Sequence, residues 1–328
     1  MTADACPSTR IDPDTLNSLF KGSNRDLVPK LLEVIWNLQR YWPMTLRQIY
    51  YQAVANLLVS NNESQYRRIM NILKKLREED VLPYSAMEDR ARRTSDKRGV
   101  EGLQVFLKEN LALALNWRYY HRCHLQGQGV YVEVTVEKDA LAPLIEDVTS
   151  RLCTRMSVTK GQPSVTLMEQ IAGRMDQAMQ RGQDPILLHF GDLDPTGVQV
   201  PISMRDTLYK VHGLGVEVIT GALTPQQCSF NSLPQSLDAA KSDDPNYSRW
   251  IAKYAGQAPT ELDAMHPEIL QQTVKEALLN LYDQDLINEQ IDKEYADEDL
   301  LKEMRNSMLK HLLAEFPSVM EQVDLDWR

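Results

Sequence analysis

An apolar run, Pro185-Ile186-Leu187-Leu188-His189-Phe190, passes directly into Gly191-Asp192-Leu193-Asp194-Pro195-Thr196-Gly197. The run has the length and composition of a strand buried on both faces of a parallel sheet. The Gly/Pro turn then sets two aspartates at a strand end, where an open α/β sheet carries its site. Alternate side chains of an extended segment share a face. Asp192 and Asp194 can therefore converge on one hard cation such as Mg2+, which takes carboxylate oxygens and keeps several waters.

A second strand end lies upstream. In Val130-Tyr131-Val132-Glu133-Val134-Thr135-Val136 the valines alternate, which predicts a strand. Glu137 follows it, ahead of a helical segment beginning near Ala140. Strand–Glu–helix, a helix–strand unit and strand–Asp-x-Asp together predict three carboxylates, Glu137, Asp192 and Asp194, at neighbouring strand ends.

Further towards the N-terminus, Thr45 is placed to cap a helix that carries Arg47, Tyr50 and Tyr51. Arg47 and Tyr51 are four residues apart and share a helix face. A phenol with a pKa near ~10 is a poor nucleophile at neutral pH. A cation beside it favours the phenolate and offsets charge on a phosphate under attack.

These segments, in this order, resemble the A subunit of topoisomerase VI and the related meiotic double-strand-break transesterases. Val136-Glu137-Lys138 and the Gly191–Gly197 turn are similar to that family's TOPRIM motifs, and Arg47-Gln48-Ile49-Tyr50-Tyr51 to its Arg-x-Ile-Tyr-Tyr motif. The resemblance covers roughly residues 30–265 and is nearest to compact, standalone mini-A-like members. It implies an α/β chain: a mostly helical, CAP-like winged-helix domain, a TOPRIM Rossmann-like parallel-sheet domain, and a helical C-terminal region. The expected divisions are a flexible 1–25, a DNA-binding 26–125, a metal-binding 126–265 and an acidic helical 266–328. By position the resemblance makes Tyr51 the nucleophile, assisted by Arg47, with Tyr50 and then Tyr66 as the other candidates. Glu137 is the acid/base and a metal ligand, and Asp192 and Asp194 hold Mg2+. Lys160-Gly161-Gln162-Pro163 resembles a further family segment, but Ser164 stands where the family carries Asp, and Leu167 and Met168 stand near its Arg.

Charge distribution agrees with a DNA-binding front. Residues 1–130 hold 19 Lys+Arg against 14 Asp+Glu; residues 131–328 hold 17 against 32. The basic half carries the tyrosine, so Arg67, Arg68, Lys74, Lys75, Arg90, Arg92, Arg93 and, further on, Lys160 are candidate phosphate contacts. Helices are expected over Asp26–Trp42, Thr45 to about Ser60, Gln65–Glu79 with Ser64 as cap, and Gly99–Asn116. The four cysteines show no metal spacing and no paired framework. No apolar run is long enough for a membrane span and no secretory signal opens the chain, so a cytoplasmic, reduced protein is expected.

The expected activity is Mg2+-dependent cleavage of double-stranded DNA by tyrosine transesterification, leaving a 5′-phosphotyrosyl link. In the related families one protomer's tyrosine works with the other's metal site, which implies a homodimer. Topoisomerase VI also needs a separate ATP-binding B subunit; no Walker A sequence is present here. Two other readings stay open: a hydrolytic TOPRIM nuclease, and a non-catalytic DNA-binding protein.

Overall fold

The computed structural model describes residues 13–88, 106, 110, 116–235, 244–254 and 256–317. The chain divides into two compact units, one of residues 1–92 and 129–281, the other of residues 93–128 and 282–328.

The first unit begins with helices α1 (Pro13–Leu19), α2 (Asn24–Asn37), α3 (Leu46–Ala55) and α4 (Glu63–Glu78). Leu27, Val28, Leu31, Leu32 and Ile35 form the buried face of α2. That helix stops short of the expected Trp42, because the chain tightens into a 3-10 turn at Gln39–Tyr41. Thr45 caps α3: its hydroxyl accepts from the Gln48 amide, and the Gln48 side chain accepts from the Thr45 amide at 2.7 Å. Such a cap contributes about 1 kcal/mol. The helix ends at Ala55, not near Ser60, because Leu57 adopts φ +57°. The Leu58 amide then donates to the Ala53 carbonyl and the Leu57 amide to Val54, closing a Schellman turn. Asn62, not Ser64, caps α4, accepting from the Gln65 amide at 3.0 Å. A parallel bridge joins Met44 to Met87. The expected basic wing beyond residue 88 and most of the expected 99–116 helix lie outside the described residues.

The sheet follows: β1 (Val130–Val136), α5 (Ala142–Arg151), β2 (Arg155–Val158), α6 (Val165–Gln180), β3 (Asp184–Phe190), α7 (Gln199–Lys210) and β4 (Glu217–Ala222). Strand order is β2-β1-β3-β4, all parallel. Both faces of β1 and β3 are buried, which is why β3 reads as a continuous apolar run. On one side, Met168, Ile171 and Met175 of α6 and Val200, Met204 and Leu208 of α7 close over Leu187. Glu133 lies fully buried within β1, held by Arg174 of α6 (Oε2 to Nη2, 3.0 Å) and by the Tyr131 hydroxyl (2.7 Å). Short helices α8 (Pro225–Phe230) and α9 (Tyr247–Tyr254) and the longer α10 (Pro267–Leu279) complete this unit, α10 packing on α5.

In the second unit α11 (Gln284–Glu315) packs against the segment around Trp117–Tyr119. The Gln128 amide side chain and the Asp283 backbone exchange two hydrogen bonds of 2.8 Å, fixing the start of α11. Along the chain, then, helical regions precede and follow a small parallel sheet. No helix among the described residues is long and apolar enough to cross a membrane.

Candidate active site

The register of the two central strands builds the site. Val136 pairs with Phe190, so Glu137 and Gly191 leave the sheet side by side, and the Glu137 amide donates to the Phe190 carbonyl at 2.9 Å. Glu137 Oε2 accepts from the Asp192 amide at 3.0 Å. Only glycine allows this approach: a Cβ on Gly191 would lie 2.6 Å from His189 Nε2 and 2.8 Å from Glu137 Oε2.

Burial, with Asp192 and Asp194 adding negative charge, pushes the Glu137 carboxyl up to about 7. Burial also raises Asp194, whose Oδ1 accepts from the Gly197 amide at 2.6 Å. Asp192 Oδ1 accepts from the Leu262 amide at 2.8 Å, and its Oδ2 meets Lys138 Nζ at 2.7 Å. The three expected carboxylates therefore share one strand-end cluster, each already engaged by a backbone amide.

Two further carboxylates enter from a segment distant in sequence. Leu193 and Thr260 form an antiparallel bridge, with amide-to-carbonyl distances of 2.9 and 3.0 Å. This clip carries Glu261 and Asp263 to Lys138, whose ammonium also meets Glu261 Oε2 at 2.8 Å and Asp263 Oδ2 at 3.2 Å. Burial opposes charge on Lys138, but Asp192, Asp263 and Glu261 outweigh it and hold the ammonium protonated. Asp263 Oδ1 is buried without a hydrogen-bond partner among the described residues, and burial raises its carboxyl.

Helix α3 meets this cluster through its Arg47/Tyr51 face. Tyr51 is fully buried, and its hydroxyl donates to Glu261 Oε1 at 2.8 Å. Arg47 Nη2 bonds the same oxygen. Glu261 thus links Tyr51 and Arg47 through Lys138 to Asp192. Tyr50 faces elsewhere: its hydroxyl is engaged by Asn61 Oδ1 (3.0 Å), the Asn62 carbonyl (3.1 Å) and the Asn62 amide (2.9 Å). Tyr66 stacks edge-on against Tyr50 at 5.0 Å, so these two rings brace the turn between α3 and α4.

A cleft of about 860 Å3 opens over the cluster, lined by Arg47, Tyr66, Met70, Lys74, Arg77, Glu137, Lys138, Asp139 and Lys160 among others. Of the expected phosphate contacts, Lys74 and Lys160 line it; Lys74 is paired to Glu78 at 3.7 Å and Lys160 to Asp139 at 3.5 Å. Arg67 pairs with Glu63 on its own helix. Arg68 is drawn to Asn24 Oδ1 (2.6 Å) and Ser23 Oγ (2.9 Å), and Lys75 to the Leu19 carbonyl (2.6 Å), so both tie α4 to the preceding helices. Arg90, Arg92 and Arg93 lie outside the described residues.

Sequence reasoning missed Lys138, Glu261, Asp263, Arg77 and His189. The Glu261-Leu262-Asp263 alternation repeats the Asp-x-Asp pattern and was the available signal. His189 lies beneath the turn, its Nδ1 3.0 Å from Thr135 Oγ1 and its Nε2 unpartnered among the described residues. Burial lowers its imidazole to about 4, so it is neutral at physiological pH.

An all-oxygen donor set with unneutralised negative charge suits a hard divalent cation. The elevated Glu137 carboxyl and the orphaned Asp263 oxygen are marks of that excess charge, but Glu137, Asp192 and Asp194 do not offer three ligand atoms within 4.8 Å of one another. The chain matches no family model, no curated protein and no solved structure, and what the cleft can do follows from its own residues.

Proposed function

We propose that this chain cleaves duplex DNA by transesterification at Tyr51. The observation that carries the reading is the Tyr51 hydroxyl seated on a carboxylate and beside Arg47, within a chain of ionic contacts that ends at the strand-end aspartates. Glu261 accepts the phenolic proton, and the phenolate oxygen bonds to phosphorus. The bond from phosphorus to the 3′ oxygen breaks, leaving a 5′-phosphotyrosyl link. Glu137, with its carboxyl near 7, is half protonated at neutral pH and gives its proton to the departing 3′ oxygen. Arg47 offsets the phosphate charge, while Lys74, Arg77 and Lys160 line the approach. Asp192 and Asp194 would hold Mg2+, which would supply Lewis-acid stabilisation of the phosphate, leaving Glu137 its proton. A homodimer would provide two such centres for the two strands. Strand passage would in addition need a separate ATP-binding partner.

Tyr51 is fully buried, so phosphate reaches it only when α3 and the 260–263 segment part. That burial favours a second reading, in which water attacks and no protein–DNA link persists. A plasmid assay with Mg2+, stopped with detergent and run with and without protease, separates the two. Protein-linked nicked or linear DNA, absent in Tyr51→Phe, supports transesterification. Adduct-free cutting that survives Tyr51→Phe supports hydrolysis. No cutting by the wild-type chain counts against both.

A further inference from the structure

The second unit carries a cluster that DNA cleavage does not use. Gln290, Glu294 and Asp297 recur at helical spacing on α11 and face the segment Tyr120–His124. Glu294 sits between two imidazoles: its Oε1 is 3.1 Å from His121 Nδ1, and its Oε2 bonds His124 Nε2. The two rings are 4.9 Å apart between centroids and steeply inclined. His124 and Glu294 are nearly buried at 12% and 13% exposure, while His121 is half exposed.

The geometry points to a zinc-class divalent metal site formed by His121, His124 and Glu294, the two imidazoles each offering a ring nitrogen within 4.8 Å of the other. In a tetrahedral zinc centre with ligands about 2.0–2.2 Å from the ion, neighbouring donor atoms stand about 3.3–3.5 Å apart. The His121–Glu294 separation of 3.1 Å is close to that edge, whereas the His124–Glu294 contact is shorter and must open to admit the ion. Two imidazoles with one carboxylate form a borderline-soft donor set that selects zinc, cobalt or nickel over Mg2+. An outer shell is also present: the Arg122 amide donates to Glu294 Oε1 at 3.1 Å, and the Arg122 guanidinium is fixed by Gln290 (3.0 Å) and Asp297 (2.7 Å). Tyr120 donates to the same Asp297 oxygen at 2.5 Å. Such supports orient ligands and hold them in place before the ion arrives. The site would clamp the 120–124 segment to α11. It is independent of the cleavage reading, because none of its residues lies in the cleft.

The test uses the purified full chain, stripped with chelator and titrated with Co2+ in Mg2+-free buffer. The expected result is the intense visible absorption of four-coordinate cobalt, displaced by about one equivalent of zinc per chain. A thiolate-to-cobalt band in addition would put one of the chain's cysteines in the fourth position. His124→Gln and Glu294→Gln should each weaken binding by more than about tenfold. Asp192→Asn should leave the cobalt spectrum intact, which separates this site from the strand-end carboxylates. Circular dichroism checks that each variant is folded. A wild-type chain that gives no visible band and retains no zinc overturns the site. So does an unchanged spectrum in a folded His124→Gln, Glu294→Gln double variant.

Discussion

Glu133 and Glu137 lie four residues apart along β1 and its exit, yet they meet opposite surroundings. Glu133 is fully buried and fully answered, by Arg174 and by the Tyr131 hydroxyl. Glu137 is partly buried, faces Asp192 and Asp194, and is pushed up to about 7. Its neighbour Lys138 turns to Asp192, Glu261 and Asp263 instead. One carboxylate is neutralised where the fold needs an anchor. The other is left short of positive charge at the strand ends, where the proposed cleavage would use a group that exchanges protons. Burial alone does not distinguish them; the partner does.

The contrast can be broken most directly by changing Tyr51, which Glu261 and Lys138 link to the Glu137 cluster. Tyr51→Phe is expected to lower covalent adduct formation by more than about 1,000-fold, read as labelled DNA retained on protein after detergent. Glu137→Gln should reduce cleavage by about 100- to 10,000-fold, since a proton donor is lost. Glu261→Gln, in a chain that still forms the Tyr51 adduct, should slow adduct formation by about 100-fold or more and make the remaining rate climb with pH. An unchanged profile would remove Glu261 as proton acceptor while leaving Tyr51 as nucleophile.

Stability sharpens the comparison with opposite signs. Glu133→Ala strands Arg174 and should cost about 3–5 kcal/mol in a urea melt. Glu137→Gln should instead stabilise the chain at pH 8 in Mg2+-free buffer. The folded carboxyl titrates near 7 against 4.5 for its ordinary value, so the folded state binds more protons across that window. Stability from this group is present below about 4.5 and lost as pH rises through 7, a loss of at most about 3 kcal/mol. Loss of stability on Glu137→Gln would contradict the picture of unneutralised charge.

His189 supplies the counter-slope. Its folded pKa of about 4 lies below the ordinary 6.5, so its contribution is present above 6.5 and lost as pH falls towards 4. The two groups oppose each other over the same range. His189→Asn should therefore steepen the loss of stability between pH 5 and 7, by about 2 kcal/mol relative to wild type. Equal pH dependence in both proteins would show that the imidazole is not held neutral.

The strand ends were legible because a buried strand and a Gly/Pro turn are local patterns, and the parallel register then follows from packing. Thr45 as cap and the Arg47/Tyr51 face were legible for the same reason. Helix ends were less so: α3 stops at a left-handed Leu57, which no propensity marks, and Asn62 takes the capping role expected of Ser64. Glu261 and Asp263 were hidden because the Leu193–Thr260 bridge joins segments remote in sequence. His121, His124 and Glu294 meet only once α11 has docked. Arg68, read as a candidate phosphate contact, is engaged by Asn24 and Ser23, contacts that join α4 to the start of α2 and that its own segment does not announce.

The Leu193–Thr260 clip also turns access to Tyr51 into an equilibrium. Two backbone hydrogen bonds hold the 260–263 segment across the tyrosine, so releasing them is a local opening with its own free energy. If opening costs about 3 kcal/mol, the competent fraction is roughly one molecule in 150, and every observed rate is scaled by it. Amide hydrogen exchange at Leu193 and Thr260 would report that opening directly. Duplex bound in the cleft should speed exchange at both amides together, the expected mark of a substrate that works by holding the clip open.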